Sequence, residues 1–274
     1  MNNLNNEVEE HYHSPDLFGR ILENLEAVGI ALDEVRRSDI SAVDEFHVRG
    51  AEVSKELAAG LQLKNKQVLD VGCGIGGPCR MLADEFGCRA TGIDLSEEFV
   101  RTAKMLSELV GLEDQTSFVY GDATNLPFDD RSFDLVWTQH VQMNVEDKTK
   151  FYKEIARVLT DNGRFLYYDI FKKGDEAVSY PMPWASQPKI SFLAKVSVME
   201  NILGDLGLRK VQTTDQTEKG IIFFEKLLAN LAASSPPKLG LNLLMGTSTK
   251  LKLGNLLKAL KEEKLILQSG GYRK

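Results

Sequence analysis

A doubly wound α/β fold, with a mostly parallel sheet covered by helices on both faces, is what this 274-residue sequence predicts. Three observations point to it. Short apolar runs (VLDVG, RATGIDL, TSFVYGDA, FDLVWTQH and RFLYYDI) alternate from Gln67 onward with segments at helical spacing. Those helical segments end near Gly87, Gly111 and Leu159, and strands separated by helices of that length make right-handed βαβ units. The composition, 43% hydrophobic and 27% charged, is that of a globular chain able to fill a core.

In chain order, the Asn-rich opening reads as frayed. Ser14-Pro15 is a helix start, a capping hydroxyl followed by proline in the first turn. Leu17, Phe18, Ile21, Leu22, Leu25 and Val28 then share one helical face. A second helix covers Val53, Leu57 and Leu61. Residues 1–63 are thus expected to form a helical cap, and 64–274 a ligand-binding domain whose sheet runs from about Lys64 to at least Ile170. Gly174–Pro188 reads as a loop, Val198–Leu206 as a helix and Arg209–Gln216 as a strand. Ile221–Ala233 and Thr249–Leu260 read as helices around a Ser-Ser-Pro-Pro break, giving a helical insertion near 221–262 before a closing strand at Leu265–Tyr272.

Several function classes are disfavoured. No apolar run approaches the roughly 20 residues needed to cross a bilayer, so stable membrane insertion is not expected. The polar, acidic first 20 residues do not resemble a secretory signal, and a cytoplasmic location is expected. Cys73, Cys79 and Cys88 fit neither a disulfide framework nor a C-x-x-C site, and read as small buried thiols. Four histidines leave little room for a metal cluster, so no metal is expected. The net charge of −7 opposes nonspecific nucleic-acid binding. From Ser234 to Lys274 eight Lys/Arg stand against two Glu, scattered as solvated helix faces would be.

The chemistry is concentrated in Val68-Leu69-Asp70-Val71-Gly72-Cys73-Gly74-Ile75-Gly76-Gly77, a strand leading into a glycine-rich turn. Gly72, Gly74 and Gly77 match G-x-G-x-x-G, the dinucleotide fingerprint, in which bare backbone lets pyrophosphate reach a helix N-terminus. Charge separates the alternatives. Asp70 would repel a pyrophosphate but attract an ammonium, such as the methionine end of S-adenosylmethionine, and no Lys or Arg lies between Val68 and Cys79. Asp94, ending the second strand, can accept hydrogen bonds from ribose hydroxyls in either ligand. Asp122, ending the third, suits an adenine amino group. Each aspartate alone could be a turn residue bonded to local backbone. Three at successive strand ends should line one crevice at the carboxyl edge of the sheet.

From VLDVGCGIGGP through GIDLS, GDATNLPF and FDLVWTQH to RVLTDNGRFLYYDI, residues 68–170 resemble a class I S-adenosylmethionine-dependent methyltransferase domain. The resemblance implies a Rossmann-like sheet of seven strands, the last antiparallel, within an S-adenosylmethionine-binding domain over 64–274. It also implies that Asp70, Gly72 and Gly74 contact the methionine part, Asp94 and Leu95 the ribose and adenine, Asp122 and Ala123 the adenine, and that Gln139 lies near the sulfonium. Thr160-Asp161-Asn162-Gly163 departs from the Lys-Pro-Gly-Gly usual in relatives, and Asn-Gly can supply a tight turn there.

For methyl transfer the protein must align a nucleophile and exclude water; a base is needed only if that nucleophile loses a proton. His140, after the fourth strand in T-Q-H-V-Q-M-N, is the candidate to accept a proton or position an amine. The alternative is an imidazole bonded to backbone. N-terminal helices commonly cover the cofactor in this superfamily, often with a tyrosine near the methyl group, so Tyr12 is a catalytic candidate and His47 a substrate contact; His11 and His13 read as solvated. Trp184 is a candidate wall of the acceptor pocket or a core residue. The wider pattern is similar to sarcosine/dimethylglycine N-methyltransferase-like and quinone C-methyltransferase-like groups of the type 11 methyltransferases. The expectation is methylation of a small-molecule acceptor by a monomer or homodimer. An amine comes first, since thirteen Asp/Glu stand against five Lys/Arg in residues 1–63. C- or O-methylation of a quinone or phenol is the alternative. An NAD-dependent oxidoreductase and a non-catalytic S-adenosylmethionine-binding protein are the rivals from other classes.

Overall fold

The computed structural model describes residues 3–12, 14–233 and 237–274; His13 and residues 234–236 of the Ser-Ser-Pro-Pro break lie outside it. Four helices precede the sheet: α1 (Asn3–Tyr12), α2 (Leu17–Ala27), α3 (Arg37–Asp44) and α4 (Ala51–Ala58). The alternating region follows as β1 (Gln67–Val71), α5 (Gly77–Phe86), β2 (Arg89–Asp94), α6 (Glu97–Leu109), β3 (Thr116–Tyr120), β4 (Phe133–Gln139), α7 (Lys148–Val158) and β5 (Leu159–Lys172). The chain closes with α8 (Val196–Asp205), β6 (Arg209–Asp215), α9 (Thr217–Ala233), α10 (Asn242–Met245), α11 (Thr249–Lys261) and β7 (Leu265–Arg273).

The seven strands lie in the order β3-β2-β1-β4-β5-β7-β6. Neighbours from β3 to β5 are parallel, and β7 runs antiparallel between β5 and β6. Strand alternation sends Leu69, Val71, Phe165 and Tyr167 to the face covered by α7 and α8. Val68, Leu135, Trp137 and Leu166 turn to the face covered by α5 and α6, while Tyr168 and Ile170 meet α9 and α11. Cys73, Cys79 and Cys88 are buried free thiols. On α2 only Leu17, Ile21 and Leu25 are fully buried, against α3, α6 and α10. Each such side chain contributes roughly 1.5–3 kcal/mol and seats the cap on the sheet domain.

Local expectations differ from the fold in five places. Residues 3–12 are helical rather than frayed, because Val8 is buried in a cluster with Val48, Met143, Trp184 and Ile190. Ser14-Pro15 is not the start of α2: Asp16 precedes the helix with φ of 49°, and Ser14 Oγ bonds instead to the Leu243 carbonyl (3.3 Å) and receives Arg20 Nη1 (2.7 Å). The first N–H of α2 is accepted by a distant carboxylate, Leu17 N to Glu98 Oε1 at 3.0 Å, so a tertiary contact replaces the local cap. Val28 ends that helix 48% exposed. α4 stops at Ala58, leaving Leu61 beyond the left-handed Gly60. Thr160–Gly163 makes no left-handed turn but stays within β5 as a bulge, with Leu159 opposite Phe133 and Arg164 opposite Leu135.

Candidate functional site

Between β1 and α5 the chain must reverse over the carboxyl edge of the sheet. Gly72 (φ +76°) and Gly74 (φ +54°) adopt the left-handed conformations that do this. A Cβ on Gly74 would meet nothing within 4 Å, so its backbone opens directly onto a cavity of about 300 Å³. Asp70 is buried beneath the turn and accepts the Cys79 thiol at 3.6 Å. Burial, reinforced by the Asp94 charge and opposed by the Cys79 contact, pushes the Asp70 carboxyl up to about 7. Among the described residues no cation pairs with it. Arg80, just inside α5, is wholly buried and committed to Asp44 Oδ2 (2.9 Å), the Ile75 carbonyl (2.6 Å), the Ala103 carbonyl (3.2 Å) and Ser107 Oγ (3.3 Å).

Asp94 braces the turn from β2. Its Oδ2 accepts the Gly74 N–H at 2.8 Å and its Oδ1 the Ser96 N–H at 2.9 Å. Burial raises this carboxyl while those backbone donors oppose the shift. Two carboxylate oxygens have about four acceptor positions, so capacity for ribose hydroxyls remains. Asp122 is bonded locally as a turn residue: Oδ1 accepts from both the N–H and Oγ1 of Thr124 at 2.8 Å. Its Oδ2 accepts Asn5 Nδ2 at 2.8 Å, which draws α1 over the crevice. Leu95 and Ala123 line the same cavity as the three aspartates.

The opposite wall comes from the end of β4. Gln139 Oε1 accepts Trp137 Nε1 (2.8 Å) and Ser54 Oγ (3.2 Å), and its buried Nε2 is without a partner. His140 has φ of 55°, a costly conformation for a non-glycine residue, held by its N–H to the Tyr168 carbonyl at 2.8 Å. Among the described residues the ring bonds to no backbone group and its buried Nε2 has no partner. Burial, helped by His47, lowers its basicity well below the ordinary imidazole range, so it is neutral. Tyr12 donates its hydroxyl to Asn144 Oδ1 at 2.8 Å; burial and the Asp94 and Asp169 charges raise the phenol, which stays protonated. His47 Nε2 lies 3.0 Å from the Gly50 carbonyl and from Ser54 Oγ, and burial pulls its pKa down to about 4. All three line the cavity.

Trp184 does not reach that cavity. It is buried, donates Nε1 to Ser191 Oγ at 2.9 Å, and lines a second chamber that shares Tyr12, Phe46, His47 and His140 with the first. His11 is not solvated either; its Nε2 sits 3.1 Å from the Pro183 carbonyl, and burial lowers its pKa.

Four functional positions escape a reading of the strand-end motifs. Asp44 and Phe46 line the cavity, and Asp44 ties the cap to the glycine turn through Arg80. Asn144 holds Tyr12 and the Trp184 loop together, donating Nδ2 to the Trp184 carbonyl at 2.8 Å. Asp169 accepts the N–H groups of Val141 and Gln142 at 3.1 Å and so fixes the segment carrying His140. The strings D-E-F-H-V-R-G and T-Q-H-V-Q-M-N contain three of these residues, but nothing in either string says which partner each will find. Among the described residues no cluster of His, Cys, Asp and Glu is arranged to hold a metal, and no helix is long and apolar enough to cross a membrane.

Residues 69–167 match the family model described as a methyltransferase domain. The chain is 46% identical over 95 residues to norajmaline N-methyltransferase of Rauvolfia serpentina, covering 35% of this chain and 32% of that one. It is 40% identical over 125 residues to the chloroplastic tocopherol O-methyltransferase of Arabidopsis thaliana, covering 44% and 35%. These matches thus span about a third of the relatives' length. Geranyl diphosphate C-methyltransferase from Streptomyces coelicolor A3(2) shares the fold, with a TM-score of 0.66 at 18% identity over 82% of this chain and 76% of that one. The matched region is a methyltransferase domain of the class I S-adenosylmethionine-dependent kind.

Proposed function

We propose that this chain transfers a methyl group from S-adenosylmethionine to a small-molecule acceptor whose reacting atom lies where Tyr12, His47 and His140 meet. The observation that carries the reading is Asp70: a buried carboxylate under an open glycine turn, with no cation of its own, is built to receive an ammonium and not a phosphate. Gly74 leaves room beside it for the methionine end, and Gly72, whose missing Cβ makes way for Val141, shapes the turn. Asp94 and Leu95 would hold the ribose and adenine, and Asp122 and Ala123 the adenine, with Gln139 near the sulfonium. The bound cofactor supplies an electrophilic methyl group.

The protein's own part is alignment and proton handling. His140 is neutral with a ring nitrogen that has no partner among the described residues, so it can accept a hydrogen bond from the N–H or O–H of an amine or phenol and position it; burial makes it a weak base, which favours positioning over proton uptake. Tyr12 stays protonated and positions the acceptor instead of acting as a base. His47 contacts the acceptor from the cap, and Trp184 walls the chamber beyond. The carboxylates around the cavity, among them Glu9 and Glu146, favour an amine acceptor. The apolar second chamber favours O- or C-methylation of a phenol or quinone. A cytoplasmic enzyme, monomeric or homodimeric, is the setting we propose.

Calorimetric titration with S-adenosylmethionine and with NADH tests the cofactor, with saturable binding of the former only expected. Incubation with methyl-labelled cofactor and panels of amines, phenols and quinones tests the transfer. Saturable NADH binding alone, or no labelled product from any panel, would overturn the proposal.

A further inference from the structure

We infer that the acceptor carries an uncharged apolar body, which lies in the chamber that α9 and α11 close over the sheet, with its single reacting polar group at the junction with the cofactor cavity. This deepens the methyl-transfer reading and rests on it. The chamber, about 50 Å³, lies next to the larger cavity and shares Tyr12, Phe46, His47 and His140 with it. Away from that junction its wall is hydrocarbon, aromatic ring and thioether, as at Met143, Trp184, Phe224, Leu227, Met245 and Leu256. Among the described residues no Asp, Glu, Lys or Arg lines it.

The wall decides what can enter. A carboxylate or ammonium taken into the chamber would lose its water and find no counter-charge, a large desolvation cost. A methylene group placed there gains instead. The polar atoms within reach are at the junction. Trp184 Nε1 is already bonded to Ser191 and the Tyr12 hydroxyl to Asn144, while the rings of His47, His140 and Tyr12 line both cavities. An acceptor is therefore oriented by its own polarity: nucleophile toward His140, apolar body toward α9. A small zwitterion such as glycine or sarcosine has nothing to place in the chamber and a charge that opposes entry. A ring-bearing phenol or an uncharged aromatic amine fits both halves.

The test uses the full chain saturated with S-adenosylhomocysteine and titrated with phenol, 4-ethylphenol, 4-butylphenol and sarcosine. Affinity should rise about fourfold per methylene, as burial of each CH₂ implies, until the chain fills the chamber. Sarcosine should bind at least tenfold more weakly than 4-butylphenol. Leu227→Glu, on a half-buried position of α9, should abolish the gain from the alkyl chain while S-adenosylhomocysteine affinity stays within twofold; Leu227→Gln serves if the charged variant does not fold. Equal binding of phenol and 4-butylphenol, sarcosine binding as tight as 4-butylphenol, or no binding of any probe would overturn the inference. Failure of S-adenosylhomocysteine itself to bind would instead remove the methyl-transfer reading beneath it.

Discussion

The two halves of the site are built by opposite means. The proposed cofactor half lies at the ends of β1 to β4, where parallel strands deliver Asp70, Asp94, Asp122 and Gln139 to one edge; backbone N–H groups fix Asp94 and Asp122, and Asp70 accepts the Cys79 thiol. The acceptor half is assembled from side chains far apart in sequence, with Tyr12, Phe46, Met143, Trp184, Phe224 and Leu256 meeting in one chamber. The first half is polar and held by short-range bonds; the second is apolar and held by burial. A change in the cofactor half should therefore act through binding of a charged ligand, and one in the acceptor half through turnover and selectivity.

The largest effect expected from breaking that division is on turnover. His140→Ala should lower kcat by about 10²- to 10⁴-fold in the methyl-label assay while leaving S-adenosylhomocysteine affinity within twofold. An equal loss of both would make His140 a structural residue of the cofactor half.

Arg80→Ala attacks the link between the halves. It leaves the fully buried Asp44 carboxylate without its partner, and should cost about 3–5 kcal/mol in urea unfolding. Because Asp44 also sits against the N-terminus of α5 at Gly77, the same variant should loosen the glycine turn. A loss below 1 kcal/mol would mean that cap and sheet domain are energetically separate.

Within the cofactor half, Asp94→Ala removes the acceptor of the Gly74 and Ser96 N–H groups and the proposed ribose contacts. Its S-adenosylhomocysteine affinity should fall by about 1.5–3 kcal/mol, measured by calorimetry. Unchanged affinity would detach Asp94 from the ligand.

The smallest effect is a pH dependence. The Asp70 carboxyl titrates near 7 in the free protein, mainly because it is buried, and an ammonium beside it would favour the ionised form. Binding below that pH must release a proton. Affinity for S-adenosylhomocysteine should therefore fall as pH drops below about 7, by up to about tenfold per unit. Asp70→Asn should bind more weakly with a flatter profile. A flat profile in the unsubstituted protein would show that Asp70 does not meet the amino group.

The same division explains what could be read in advance. β1 with its glycine turn, and the aspartates at the ends of β2 and β3, lie in contiguous strings, so pattern and position suffice to put them at one sheet edge, even though Asp94 bonds to Gly74 and Asp122 to Asn5. Ser14-Pro15 misled because the first N–H of α2 found Glu98, 81 residues away. Leu61 fell outside α4 because Gly60 turns left-handed, and Asn162-Gly163 joined β5 because a bulge absorbs its extra residues. Asp44 looked like one acidic residue in an acidic cap. Only its contact with Arg80 makes it the fastening between that cap and the cofactor turn.

The sequence by itself determined the alternating sheet, its glycine turn and the sign of the charge beneath that turn. Strand periodicity and turn chemistry act over a few residues, so they are written in consecutive letters. Tertiary structure alone decided that His140 keeps a free nitrogen, that Trp184 faces the second chamber, and that this chamber has no charge in its wall. Those outcomes depend on which distant side chains exclude water from one another, and burial of that kind exists only once the chain has closed.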